Sequence, residues 1–158
     1  MENGDYRLCI VVSPEEWSVY HDTRRRILWE NRGKCGEYVE KHPDEHNPNN
    51  HPFLLLFRGK SVGVVRVDIV QDMQQAIIRR MAINETEQRK GHGRNLVTLV
   101  ERFALHKGCH CTVVTSAEDA QVFYEKCGYK HITPGSLSMV KNIGENSCDK
   151  SVEQNGEV

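Results

Sequence analysis

The chain has 158 residues, 38% hydrophobic and 27% charged, and a formal net charge of -1 at pH 7. That size and composition describe one soluble domain able to bury a core without staples. The charge balance excludes a global field that would draw in nucleic acid or an anionic membrane. No apolar run approaches the roughly 20 residues of a membrane helix.

The N-terminus, Met1-Glu2-Asn3-Gly4-Asp5, is acidic and polar, unlike a secretory signal. The cysteines, at Cys9, Cys35, Cys109, Cys111, Cys127 and Cys148, are scattered. Cys109-His110-Cys111 lacks both the pair spacing and the second pair of a structural zinc site. Reduced thiols, a cytoplasmic location and no metal are expected.

Tyr6–Val12 is apolar and β-rich, a first strand. Ser13-Pro14-Glu15-Glu16 is a helix start, with Ser13 and Glu16 as a capping box. Trp17, Tyr20, Ile27 and Leu28 recur at helical spacing, which carries the helix to about Asn31, before Gly33. A short helix is predicted over Gly36–Glu40, and Lys41–Pro52 reads as an irregular loop. Phe53–Phe57 and Ser61–Val70 form a predicted hairpin about Arg58-Gly59-Lys60, and Gln75–Asn84 is a fourth strand. An amphipathic helix starts at Gly91, presents Leu96, Val97, Val100, Phe103 and Ala104, and stops at Gly108. Cys109–Thr115 is a fifth strand. Ser116-Ala117-Glu118-Asp119 is a second capping pattern, opening a helix with Ala120, Phe123, Tyr124 and Cys127 on one face. Tyr129–Thr133 and Leu137–Lys141 are closing strands. The order predicts a mixed sheet flanked by helices, one domain over residues 1–141, and a polar tail over 142–158 that is expected to be disordered.

The chemistry concentrates at Gln88-Arg89-Lys90-Gly91-His92-Gly93, between the fourth strand and the amphipathic helix. Two glycines within three residues let backbone approach a ligand, and a helix N-terminus presents amide donors and a positive dipole end. Arg89, Lys90 and Arg94 add positive charge. The pattern is neither a P-loop nor a dinucleotide fingerprint.

Gln88-x-x-Gly91-x-Gly93 resembles the Q/R-x-x-G-x-G/A signature of the GCN5-related N-acetyltransferase (GNAT) superfamily. Ala120-x-x-Phe123-Tyr124-Glu125-Lys126-Cys127-Gly128-Tyr129 resembles its second signature. The resemblance implies an α/β (α+β) fold with a mixed, mostly antiparallel sheet of six to seven strands. It implies an acetyl-CoA-dependent N-acetyltransferase, in which an amine attacks the thioester directly. Met81, Ala82 and Ile83 would pair with the pantetheine arm and polarise the carbonyl, and backbone from Gln88 through Arg89, Lys90, Gly91, His92, Gly93 and Arg94 would wrap the pyrophosphate. One of Arg79 and Arg80 would point toward the CoA phosphates.

Tyr124 matches the acid that protonates the departing thiolate, with a core aromatic as the alternative reading. Ile77 stands where the histone-acetylating branch keeps its carboxylate base, which leaves Glu85, Asp68 or a water chain. On the acceptor side the resemblance points to Arg26, Trp29 and His51. Arg26 is read either as a contact to an anionic group or as one of a solvated Arg24-Arg25-Arg26 face. His42, His46 and His51 are read as loop histidines. The acceptor is a small-molecule or protein amine, with no nucleic acid or membrane partner, and dimers are common among relatives. The rival to an enzyme is a catalytically silent acyl-CoA-binding regulatory module.

Overall fold

The structure is a computed structural model that describes residues 1–144. Eight strands are hydrogen-bonded in the order β1-β2-β3-β4-β5-β6-β8-β7. They are β1 (Glu2–Asn3), β2 (Tyr6–Ile10), β3 (Asn50–Phe57), β4 (Lys60–Val70), β5 (Gln75–Ile83), β6 (Cys111–Thr115), β7 (Lys130–His131) and β8 (Ser138–Asn142). The helices are α1 (Pro14–Arg24), α2 (His92–His106) and α3 (Gln121–Lys126). The largely antiparallel sheet has one strand more than the six to seven expected. The extra strand, β1, comes from a two-residue hairpin made by Gly4, at φ 59, with Asp5. The chain resolves into two compact units, residues 1–66 with 80–99 and residues 67–79 with 100 onward.

In the first unit, β2 pairs antiparallel with β3 from Tyr6↔Phe57 to Ile10↔Phe53. The capping box forms as the sequence predicts. The Glu16 amide donates to Ser13 Oγ at 3.1 Å, and the Ser13 amide donates to Glu16 Oε1 at 2.8 Å. After Arg24 the helix widens into a π turn over Arg25–Trp29, tightens to a 3₁₀ turn over Glu30–Arg32 and closes at Gly33 with φ 77. Val11, Tyr20, Leu28, Leu54, Val64 and Ala82 form the unit's core, with Trp17, Ile27, Trp29 and Leu56 packed against it.

Two sequence expectations are corrected here. Residues 36–40 are not helical, and the Lys41–Pro52 stretch contains a 3₁₀ turn (Pro43–His46) before β3 begins at Asn50. Polar composition hides the reason: Glu45 is buried and ties that turn to Arg24, which gives it long-range support.

In the second unit, β5 runs parallel to β6 over Gln75↔Cys111 to Ile78↔Val114, and β6 pairs antiparallel with β8. The expected cap at Ser116 does not form. Ser116 is buried, and a 3₁₀ turn (Glu118–Ala120) leads into α3 with Ala120 at the cap position. β8 ends at Asn142, so the first residue of the expected tail belongs to the sheet. Its remainder beyond Gly144 lies outside the described residues. Cys9, Cys35, Cys109 and Cys127 are free thiols. Cys111 is disulfide-bonded, against the expectation of thiols throughout, and Cys148 lies outside the described residues.

Candidate functional site

β5 carries a local distortion at Arg80, whose φ of 54 is rare for a residue with a side chain. A left-handed residue inside a strand marks a bulge, which re-aims the backbone of the residues that follow. Those residues are Met81, Ala82 and Ile83, of which Ala82 is buried. Gly63 on β4 lies directly against them. A Cβ there would stand 2.9 Å from the Ala82 carbonyl oxygen and 2.6 Å from Ile83 Cδ1. The Arg80 guanidinium lies over the Trp29 ring, 4.9 Å from its centroid.

Beyond β5 a 3₁₀ turn over Glu85–Glu87 leads to Gln88, whose side-chain amide donates to the Ile83 carbonyl at 3.1 Å. Arg89 (φ 62) and Gly91 (φ 85) are both left-handed, and α2 starts at His92. Left-handed residues alternating with others turn successive N–H groups to one side, the geometry of an anion nest. The first amides of α2 have no carbonyl ahead of them in the helix and carry its positive dipole end. Gln88, Arg89, Lys90, Gly91 and Arg94 are exposed, and a Cβ at Gly91 would meet nothing within 4 Å. The nest is therefore open to solvent, and its glycine is required by φ rather than by crowding.

His92 differs from its neighbours. It is 3% exposed, with Nδ1 2.7 Å from the Tyr6 hydroxyl and Nε2 3.2 Å from Glu87 Oε2. Its buried ring leaves only its backbone to face the turn.

The expected acid–base and acceptor residues are each engaged. Glu85 accepts from Arg26 Nε at 2.8 Å and from Asn31 Nδ2 at 3.0 Å. The Arg26 hydrogen bond, with backbone and Asn31 donors behind it, holds the Glu85 carboxyl at about 2. Arg26 also pairs with Asp22. The two residues that the sequence assigns to base and acceptor roles are thus partners of each other. Trp29 packs edge-on to Tyr38 at 4.8 Å, and His51 stacks on Phe53 at 6.4 Å. In the second unit Asp68 accepts from Arg79 Nε at 2.8 Å, and Ile77 is buried opposite Val113.

Arg24, not Arg26, is the buried arginine of the triplet. It is 4% exposed, donates to the Tyr20 hydroxyl at 2.8 Å and pairs with Glu45, which also lies 3.9 Å from Arg66. The signal was present in part: Tyr20, Arg24 and Leu28 stand at i, i+4 and i+8, one helix face. Glu45 had no local signal.

Tyr124 is 4% exposed, edge-on to Phe123 at 5.0 Å and to Tyr129 at 5.6 Å. Burial pushes its hydroxyl well above the ordinary tyrosine range, so it stays protonated. The Tyr129 hydroxyl lies 2.6 Å from Thr112 Oγ1 and 3.3 Å from Glu101, and Lys141 holds Glu101 and the Cys127 carbonyl. Among the described residues no group of three or more His, Cys, Asp or Glu could hold a metal, and no helix is long and apolar enough to cross a membrane.

A strand with a left-handed residue, a turn with two more and a helix N-terminus thus follow one another along the chain. The sequence model of the acetyltransferase (GNAT) family matches residues 12–129, and the chain belongs to that family. No curated protein matches the chain. Among solved structures, it is similar to a provisionally named N-acetyltransferase from Lactobacillus plantarum, at 22% identity and TM-score 0.71, covering 87% of this chain and 98% of that one. It is similar to Tetrahymena GCN5 at 13% identity and TM-score 0.69, covering 90% and 99%. The ribosomal-protein-S18-alanine N-acetyltransferase of Escherichia coli matches at 17% identity and TM-score 0.67, covering 90% and 98%. At these identities the structures establish the shared fold.

Proposed function

We propose that this chain moves the acetyl group of acetyl-CoA to a primary amine, with both substrates bound together and no acyl-enzyme. The observation that carries the reading is the pair of left-handed residues, Arg89 and Gly91, immediately ahead of α2. Backbone N–H groups from Gln88 to Arg94 hold the pyrophosphate there, with Arg89, Lys90 and Arg94 supplying charge. Met81, Ala82 and Ile83 pair with the pantetheine arm. One N–H of that strand donates to the thioester oxygen as charge builds on it.

In the transfer the neutral amine nitrogen bonds to the carbonyl carbon and the C–S bond breaks. Tyr124 then gives its proton to the CoA sulfur. Of the two candidate bases, Asp68 is engaged by Arg79, and Glu85 at about 2 is a weak base at neutral pH. We therefore assign removal of the amine proton to water, with Glu85 acting by its charge. Trp29, beside the bulge through Arg80, forms the acceptor wall with Arg26 and His51 at its margins.

Gly91→Glu tests the donor site. It puts a negative side chain where the pyrophosphate sits and adds strain to the left-handed turn, while the open space around Gly91 leaves the surrounding packing intact. Titration with acetyl-CoA is expected to show no binding, and acceptor-dependent release of free thiol is expected to vanish. Unchanged affinity would place the cofactor elsewhere. Thiol release by the wild-type chain across a panel of amines identifies the acceptor, and its absence with every amine would favour the silent binding module.

A further inference from the structure

The turn that takes the pyrophosphate is closed at its base by two side chains that the family signature does not specify. Glu87 and His92 flank Gln88–Gly91, and His92 Nε2 lies 3.2 Å from Glu87 Oε2. Glu87 also accepts from Lys60 Nζ at 3.1 Å and Lys90 Nζ at 3.4 Å, and these donors hold its carboxyl below the ordinary range. An ionised carboxylate only accepts, so the imidazole proton sits on Nε2. Nδ1 lies 2.7 Å from the Tyr6 hydroxyl. The ring is buried between Tyr6, at 5.5 Å, and Phe57, at 4.9 Å, while Tyr6 and Phe57 are themselves opposite each other across β2 and β3.

We propose that Tyr6, His92 and Glu87 form a clasp that presets the turn for the pyrophosphate, with His92 as a positioning residue for donor binding. The inference rests on the pyrophosphate lying at this turn. Arg89 has a side chain in the left-handed region, a conformation that persists only where the surroundings enforce it. The exposed residues of the turn cannot enforce it by packing. The Glu87–His92 bridge can, because it fixes the two ends and is seated on β2 through Tyr6. Preset N–H donors bind an anion without the entropy cost of ordering the turn. The clasp touches no reacting atom, so it acts on donor affinity and not on the chemical step.

The experiment compares acetyl-CoA with acetyl-pantetheine, which keeps the thioester and lacks the pyrophosphate. Tyr6→Phe removes one hydroxyl and keeps its ring on Phe57. His92→Phe removes both hydrogen bonds and fills the same space. Tyr6→Phe is expected to raise KM for acetyl-CoA about tenfold, the order of one lost hydrogen bond, and His92→Phe, which loses two, by more. In each, kcat at saturation and KM for acetyl-pantetheine should be unchanged, and His92→Gln should recover part of the affinity. Equal effects on both donors, or a fall in kcat with KM unchanged, would overturn the clasp. The underlying reading fails differently: the wild type would then bind both donors alike, and Gly91→Glu would bind acetyl-CoA normally.

Discussion

Tyr124 has no exposed hydroxyl chemistry to offer solvent, since it is 4% exposed and burial raises its pKa. Such a group stays protonated and cannot serve as a base at neutral pH. The raised pKa also makes it a weaker acid, so the proposed proton donation requires the thiolate to form against its hydroxyl. Tyr124→Phe keeps the ring against Phe123 and Tyr129 and is expected to lower kcat about 10²-fold with the melting temperature little changed. An unaltered rate would leave Tyr124 as packing alone. Glu85 acts on stability through pH. Its folded pKa is lowered from an ordinary 4.5 to about 2, so its stabilising pair is present above pH 4.5 and is lost as pH falls toward 2. The side chain is 42% exposed, so solvent screens the pair and the effect is small. Melting curves of the wild type and Glu85→Gln are expected to differ slightly at pH 7 and to converge near pH 2. A gap that stays constant over that range would assign the difference to something other than the pair's ionisation.

At the scale of elements, β4 and β5 explain why a glycine interrupts the valine run Val62-Gly63-Val64-Val65. Glycine inside a strand weakens it unless another backbone comes close, and here the Ala82 carbonyl does. Ile83 Cδ1 can move aside, but a carbonyl in a strand cannot. Gly63→Ala is therefore expected to destabilise by about 1–3 kcal/mol, the cost of overpacking, despite the smaller entropy loss of alanine. Because the displaced residue is Ala82, KM for acetyl-CoA should rise as well. Denaturant unfolding checks the first effect and donor kinetics the second. A neutral or stabilising result would show that β4 yields at this point.

Over the whole molecule, what could be read from sequence was local in origin. Ser13 and Glu16 cap α1 through residues three apart, the β3–β4 turn follows from Arg58-Gly59, and α2 follows from a 3.6-residue apolar period. The left-handed Gly91 ahead of a helix N-terminus was legible for the same reason, whereas the left-handed Arg89 beside it was not. The buried histidine was not legible: Tyr6 and His92 are 86 residues apart, and nothing near either one announces the other. Arg24 and Glu45 join a helix to a polar stretch read as loop, and Arg26 and Glu85 pair across 59 residues. The sequence by itself determined the class of fold and marked the expected donor turn and candidate acid, because periodicity, capping and backbone permissiveness act within one or two turns of chain. Only the tertiary structure decided which arginine is buried, what holds Glu85 and where the His92 ring goes, because burial and pairing depend on groups that meet only after the chain has folded.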